Sequence, residues 1–171
     1  ITKIKLIIDM NLMKKVYKAI IINPKTRDKF QVYNPGYLVV DENGLIAEIS
    51  KKNLFLKYKN QKHYDFSNYL IIPGLIDIHN HLPQYAFAGI GDKELLPWLE
   101  NYTFPRESQF KDNEVAWQSA LSFFKAVINN GTTTTVTYAT IHKQATNLAF
   151  AAADKVGLRA VIGKVMMDQN S

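Results

Sequence analysis

Ile71-Ile72-Pro73-Gly74-Leu75-Ile76-Asp77-Ile78-His79-Asn80-His81-Leu82-Pro83-Gln84 begins as an apolar, β-branched run and ends in two histidines separated by one residue. Side chains alternate faces along a strand, so residues two apart point the same way. His79 and His81 are therefore expected to project together from the C-terminal end of a buried strand. Two imidazoles converging there supply two of the three or four ligands that a divalent metal such as zinc takes. The competing reading is a pair of polar residues that only finish a strand. Asp77 shares the parity of both histidines. It fits either an acceptor that orients an imidazole or a buried, hydrogen-bonded acid.

Downstream of this strand the pattern alternates. Glu94 to Asn101 reads as a short helix, broken at Tyr102-Thr103-Phe104-Pro105 because the residue before a proline disfavours the helical region. Asp112 is placed to cap a helix over Asn113 to Asn129, whose Val115, Leu121, Phe124, Val127 and Ile128 form a broad apolar face. Asn130-Gly131 is its stop. Threonine-rich Thr132 to Tyr138 is a strand, Ile141 to Val156 a helix closed by Gly157, and Arg159 to Met166 a third buried strand. Strand, helix, strand, helix, strand implies parallel βαβ units. Three strands cannot close a barrel, so an open edge and an exposed apolar face are expected.

Upstream lies a small β unit. Residues 16–22 read as a strand ended by Asn23-Pro24, and residues 30–33 as a short strand before an Asn34-Pro35-Gly36 turn. Tyr37 to Val40 and Leu45 to Ile49 form a hairpin across Asp41-Glu42-Asn43-Gly44. Residues 51–62 are a lysine-rich connection, either a short helix or a loop, and Tyr64 to Ser67 leads into the histidine strand. The division expected is an N-terminal β segment over residues 1–68 and an α/β segment over residues 69–171.

With 171 residues, 47% hydrophobic and 21% charged, the chain is an ordinary globular sequence and not a disordered one. No apolar run reaches the roughly 18 residues of a membrane span, and Ile4 to Ile8, interrupted by Lys5, is too short for a signal peptide. The lack of cysteine removes disulfides and zinc sites built on Cys-x-x-Cys, and fits a cytoplasmic setting. Residues 1–62 carry 13 Lys/Arg against 5 Asp/Glu, a net +8, while residues 63–171 carry 8 against 10, a net −2. The lysines are scattered among Asn, Tyr and Ile with one arginine, which favours a solvated basic surface over a nucleic-acid contact. Met13 reads as a natural start, with residues 1–12 an upstream extension and the whole a fragment of a longer protein.

At Pro73-Gly74-Leu75-Ile76-Asp77-Ile78-His79-Asn80-His81 the chain resembles the amidohydrolase superfamily. The resemblance narrows through His79 to Gly89, Leu96-Pro97-Trp98-Leu99 and Asn101-Tyr102-Thr103-Phe104-Pro105 to the guanine deaminase family. It continues through Asn130 to Thr134, Ala139-Thr140-Ile141-His142 and Val161 to Asp168. It implies the start of a metal-bearing (β/α)8 TIM barrel, about three strands, preceded by part of a small β-sandwich. His79 and His81 match the first two zinc ligands, and one zinc ion per subunit is implied. Gln84 matches the glutamine that hydrogen-bonds the purine, with His81, Leu82, Pro83 and Gln84 lining one wall of its pocket. The implied reaction is hydrolytic deamination of guanine to xanthine and ammonia, in purine catabolism, by a cytoplasmic homodimer acting on neither nucleic acid nor membrane. The family's later ligands, its proton-shuttling glutamate and its purine-contacting arginine have no counterpart in this chain, so no catalytic acid or base is assigned here.

Several residues keep two readings. His142 is a surface or helix-start histidine and His63 a solvent-facing one, in preference to ligands. Lys164 matches the position of a carboxylated lysine in binuclear relatives only if the guanine deaminase resemblance is set aside. Asp168 reads as an orienting or loop-capping acid at the end of the third strand. Tyr85, Phe87, Trp98, Tyr102 and Phe104 include either a base-stacking residue or packing aromatics only. The rival functions are another nucleobase or triazine aminohydrolase of the superfamily and an inactive fragment lacking the later catalytic residues.

Overall fold

Two sheets organise the protein, and each belongs to its own compact unit, Ile1–Pro73 and Gly74–Ser171. The computed structural model describes residues 13–91 and 94–167, so the readings of residues 1–12, Asp92 and Asp168 lie outside the described residues.

The first unit holds β1 (Lys15–Thr26), β2 (Lys29–Val40), β3 (Ile46–Ser50), a one-turn helix α1 (Leu54–Lys57) and β4 (Lys62–Ile71). Its sheet runs β3-β2-β1-β4, with β4 parallel to β1 and the other pairs antiparallel. The β2–β3 hairpin forms as its residues dictate: the Asp41 carboxylate accepts the N–H groups of Asn43 at 2.9 Å and Leu45 at 2.8 Å, and Gly44 supplies φ +80°. Two departures stand out. β1 runs on through Asn23-Pro24, and β2 runs through Asn34-Pro35-Gly36 instead of turning there. Cross-strand pairing overrides the local turn signal, since Ala19 pairs with Gly36 and Ile21 with Tyr33, and Ile21, Tyr33 and Ala19 form one buried cluster. A Cβ on Gly36 would lie 2.8 Å from the Ile21 side chain and from Tyr33 Cβ, so this glycine serves close approach and not a turn. The other face buries Val16, Tyr37, Val39 and Leu54. Among the described residues this unit has one sheet.

The second unit is mixed α/β. Strands β5 (Leu75–His81), β6 (Thr132–Tyr138) and β7 (Arg159–Gly163) lie parallel in the order β5-β6-β7. Between β5 and β6 the chain forms a 3-10 turn (Leu82–Phe87), α2 (Leu95–Trp98), a π turn (Leu99–Thr103), α3 (Phe104–Ser108), a further 3-10 turn (Gln109–Lys111) and α4 (Asn113–Asn129). Pro105 does not break the helical path as its position suggests; it sits in the first turn of α3. The wider π turn before it gives room to the carbonyl a proline would otherwise strike. α4 keeps the bounds and caps its residues specify: Asp112 accepts from the N–H groups of Glu114 at 2.8 Å and Val115 at 3.2 Å, and Gly131 ends it at φ +89°. α5 (Lys143–Val156) connects β6 to β7 and ends at Gly157. β7 is shorter than its apolar run because after Gly163 the Val165 N–H turns to the Thr140 carbonyl at 3.2 Å.

The core lies between α4, α5 and one face of the sheet, where Phe123, Phe124, Ala149, Ala152, Leu158 and Ile162 are buried. The opposite face is open: Ile76, Ile78 and Val161 are 68%, 74% and 61% exposed. Among the described residues no helix is long and apolar enough to cross a membrane.

Candidate metal centre

The site begins with an irregularity in β5. Asp77 pairs with Thr135 and Asn80 with Thr137, so three steps along β5 match two along β6. This extra residue is a β-bulge, and a bulge inverts the alternation of everything on one side of it. Asp77 consequently shares a face with Asn80 and not with His81. The Asn80 amide donates to Asp77 Oδ2 at 2.9 Å and to Thr135 Oγ1 at 2.6 Å, while the His79 backbone N–H donates to Asp77 Oδ1 at 3.0 Å. Those bonds, the Asn80 amide first, hold the Asp77 carboxyl below the usual carboxylate range. Of the two readings of Asp77, these bonds favour the hydrogen-bonded acid: among the described residues its carboxylate accepts from the His79 backbone N–H and the Asn80 amide. Thr135 and Thr137, fully buried on the helix side, anchor the arrangement. Gly74, just before the strand, is obligatory for a different reason, since a Cβ there would strike the Thr133 side chain.

With the bulge in place, His79 and His81 come together on the open face. Their ring centroids are 5.2 Å apart at an interplanar angle of 79°. Two imidazoles sharing one tetrahedral zinc, with Zn–N bonds of about 2.0–2.1 Å, bring their centroids to roughly 5 Å. Burial, with a further push from His79, holds the His81 imidazole below the usual histidine range, which favours the neutral form that ligates metals. The pair thus fits as part of a zinc site. It is not a whole one, because among the described residues no group of three or more His, Cys, Asp or Glu is arranged to hold a metal.

Gln84 lies on the 3-10 turn that follows directly, and with His81 it lines a cavity of about 270 Å³. Phe87 and Trp98 form part of the same wall, packed 5.7 Å apart. Leu82 and Pro83 precede Gln84 on the same turn. Both are buried, and they line a second cavity of about 260 Å³ with Arg106 and Ser119. Tyr85 lines both cavities, so the two adjoin. Of the sequence candidates, the structure brings together His79, His81 and Gln84.

The remaining histidines stay apart from this pair. His142 is the N-cap residue of α5, and its Nε2 is buried without a hydrogen-bond partner among the described residues. His63 is exposed in β4, its Nε2 2.8 Å from the Tyr58 carbonyl and its ring stacked on Phe55 at 4.4 Å. Lys164 is exposed and donates to the Val165 carbonyl at 3.2 Å. Tyr138, which sequence reasoning passed over, packs directly against the candidate ligands, its ring centroid 4.8 Å from that of His81 and 5.7 Å from that of His79. Its place as the last residue of the next parallel strand was the one available signal.

The chain is similar to known proteins over most of its length. The Amidohydrolase family matches residues 70–171. A guanine deaminase of Escherichia coli (strain K12) is 32% identical over 167 residues, which is 93% of this chain and 38% of that protein. One of Mus musculus is 43% identical over 143 residues, 81% of this chain and 31% of that protein. A crystal structure of guanine deaminase from C. acetobutylicum, with guanine bound in its active site, superposes with a TM-score of 0.82 at 45% identity, over 92% of this chain and 38% of that one. The chain therefore spans less than two fifths of the length of these relatives.

Proposed function

The chain belongs to the amidohydrolase family, and from that premise we propose that the complete protein is a zinc-dependent guanine deaminase. The observation that carries the reading is that His81, paired with His79, and Gln84 line the same cavity in a chain similar to guanine deaminases over most of its length. In this reading β5 to β7 are the first three strands of a (β/α)8 barrel, and the four-stranded sheet is part of a β-sandwich. The proposed division into residues 1–68 and 69–171 falls a few residues before the boundary of the two compact units at Pro73/Gly74, because β4 of the first sheet runs on to Ile71.

The reaction adds the oxygen of water to C2 of guanine and breaks the bond from C2 to the exocyclic nitrogen, giving xanthine and ammonia. A zinc ion, when bound, supplies Lewis acidity that brings a water pKa toward about 7. His79 and His81 hold it as neutral imidazoles. The Gln84 amide both donates and accepts, so it pairs with a purine edge of matching pattern and leaves a mismatched base with unpaired polar groups. Leu82 and Pro83, both buried, anchor the turn that carries Gln84 and stand with His81 and Gln84 as the proposed wall of the purine pocket. The protons of water pass to a ring nitrogen and the departing amine through a carboxylate, a role assigned here to none of the described residues. A homodimer, a cytoplasmic setting and a place in purine catabolism accompany the reading as the resemblance implies.

The test follows guanine absorbance with the complete gene product, with and without a zinc chelator, beside His79→Ala and with adenine, cytosine and a triazine as controls. Chelator-sensitive conversion of guanine alone, lost in the variant, is the expected result. Ammonia from another ring in place of guanine overturns the substrate, and no turnover by zinc-loaded protein overturns the enzyme reading.

A further inference from the structure

We propose that Tyr138 is a positioning residue that holds the imidazoles of His79 and His81 in a metal-binding pose through the face of its ring. The inference rests on the reading of those two histidines as ligands and goes beyond it to what orients them. A ligating imidazole is ordinarily fixed by a hydrogen bond from its second nitrogen to a carboxylate or carbonyl. Among the described residues neither ring makes such a bond, and the acid nearest in sequence, Asp77, is occupied by the His79 backbone and the Asn80 amide. What the rings do touch is Tyr138. The His81 ring lies against it at 4.8 Å and 20°, nearly parallel, and His79 meets it at 5.7 Å and 73°, edge on.

The contact is built into the backbone. His81 and Tyr138 are direct partners in the parallel β5–β6 ladder, so their side chains leave the sheet on the same face and side by side. One aromatic ring thus restrains both imidazoles, and the two rings restrain each other at 5.2 Å. Offset-stacked and edge-on arrangements are the favoured geometries of such pairs. Both contacts run through the Tyr138 ring, which gives the role to the ring.

The measurement is the zinc dissociation constant of the complete, metal-stripped protein, obtained by competition with a chromophoric chelator and without any substrate. Tyr138→Phe is expected to bind zinc within about twofold of the parent, while Tyr138→Leu and Tyr138→Ala bind roughly tenfold more weakly, in the range for losing a residue that supports a ligand. Thermal midpoints of the metal-free variants control for folding, and if Tyr138→Ala does not fold, the Phe and Leu variants decide. Parent-like zinc affinity in Tyr138→Leu overturns the proposal, because bulk alone then suffices. Equal weakening in Tyr138→Phe and Tyr138→Leu overturns it too, because the hydroxyl is then the active part. His79→Ala in the same assay reports on the ligand reading separately: zinc affinity that responds to His79 but not to Tyr138 overturns this proposal alone.

Discussion

The two faces of the parallel sheet β5-β6-β7 follow different rules. On the helix side Thr135, Thr137 and Ile162 are buried beneath α4 and α5, and the Asn80–Asp77–Thr135 hydrogen bonds close a small polar lock. On the other side His79 and Tyr138 are exposed beside Ile76, Ile78 and Val161, with no layer over them among the described residues. One face is finished by packing; the other carries the histidine pair and leaves apolar surface uncovered. A strand registers both at once because its side chains alternate, so the packed face fixes the ladder and the ladder delivers His81 next to Tyr138. The helix side is thus the jig, and the open side is what it positions.

Substitutions separate the two roles. The largest effect is expected from Phe124→Ala on the packed side, fully buried in the helix layer, at about 3–5 kcal/mol of lost stability in chemical denaturation. Zinc affinity of the fraction that remains folded stays near parental, and a large loss there would mean the faces are not separable. His81→Ala on the open side should do the reverse. It should weaken zinc binding beyond the roughly 10–100-fold typical of losing a supporting residue, with a thermal midpoint of the metal-free protein close to the parent's.

Asn80→Ala sits between the two faces, since it removes the amide that ties Asp77 to Thr135. It should cost about 1–3 kcal/mol in stability, the penalty for stranding partly buried polar partners. A measurable fall in zinc affinity should accompany it, because the bulge then loosens. Stability loss with unchanged zinc affinity would show that the bulge does not set the histidine pair. Ile78→Ser gives the smallest change, within about 0.5 kcal/mol in this chain, as for an exposed site away from special features. A cost of about 2 kcal/mol or more in the complete protein would show that the open face is covered there.

Local chemistry is enough wherever one element contains its own instructions. Asp112 and Gly131 bound α4, Asp41 and Gly44 shape the β2–β3 hairpin, and Thr132–Tyr138 is a strand because β-branched residues fill it. The proximity of His79 and His81 was legible from a one-residue spacing at a strand end, and Gln84 from the word around it. Other features depended on a partner strand or helix that no short window contains. Asn34-Pro35-Gly36 carries a turn signal, yet Ile21 and Tyr33 packing across the β1–β2 pair keeps it extended. Asp77 has the parity of a residue beneath the histidines, yet pairing against β6 inserts the bulge that turns it to the other side.

The sequence by itself therefore determined the element types, the βαβ order and the two histidines, because caps, breakers and side-chain alternation act within a few residues. Only the tertiary structure decided which of its two readings Asp77 takes, and that Tyr138 stands against both rings. Each of those follows from register and from the burial of neighbours dozens of residues away, which local propensity does not encode.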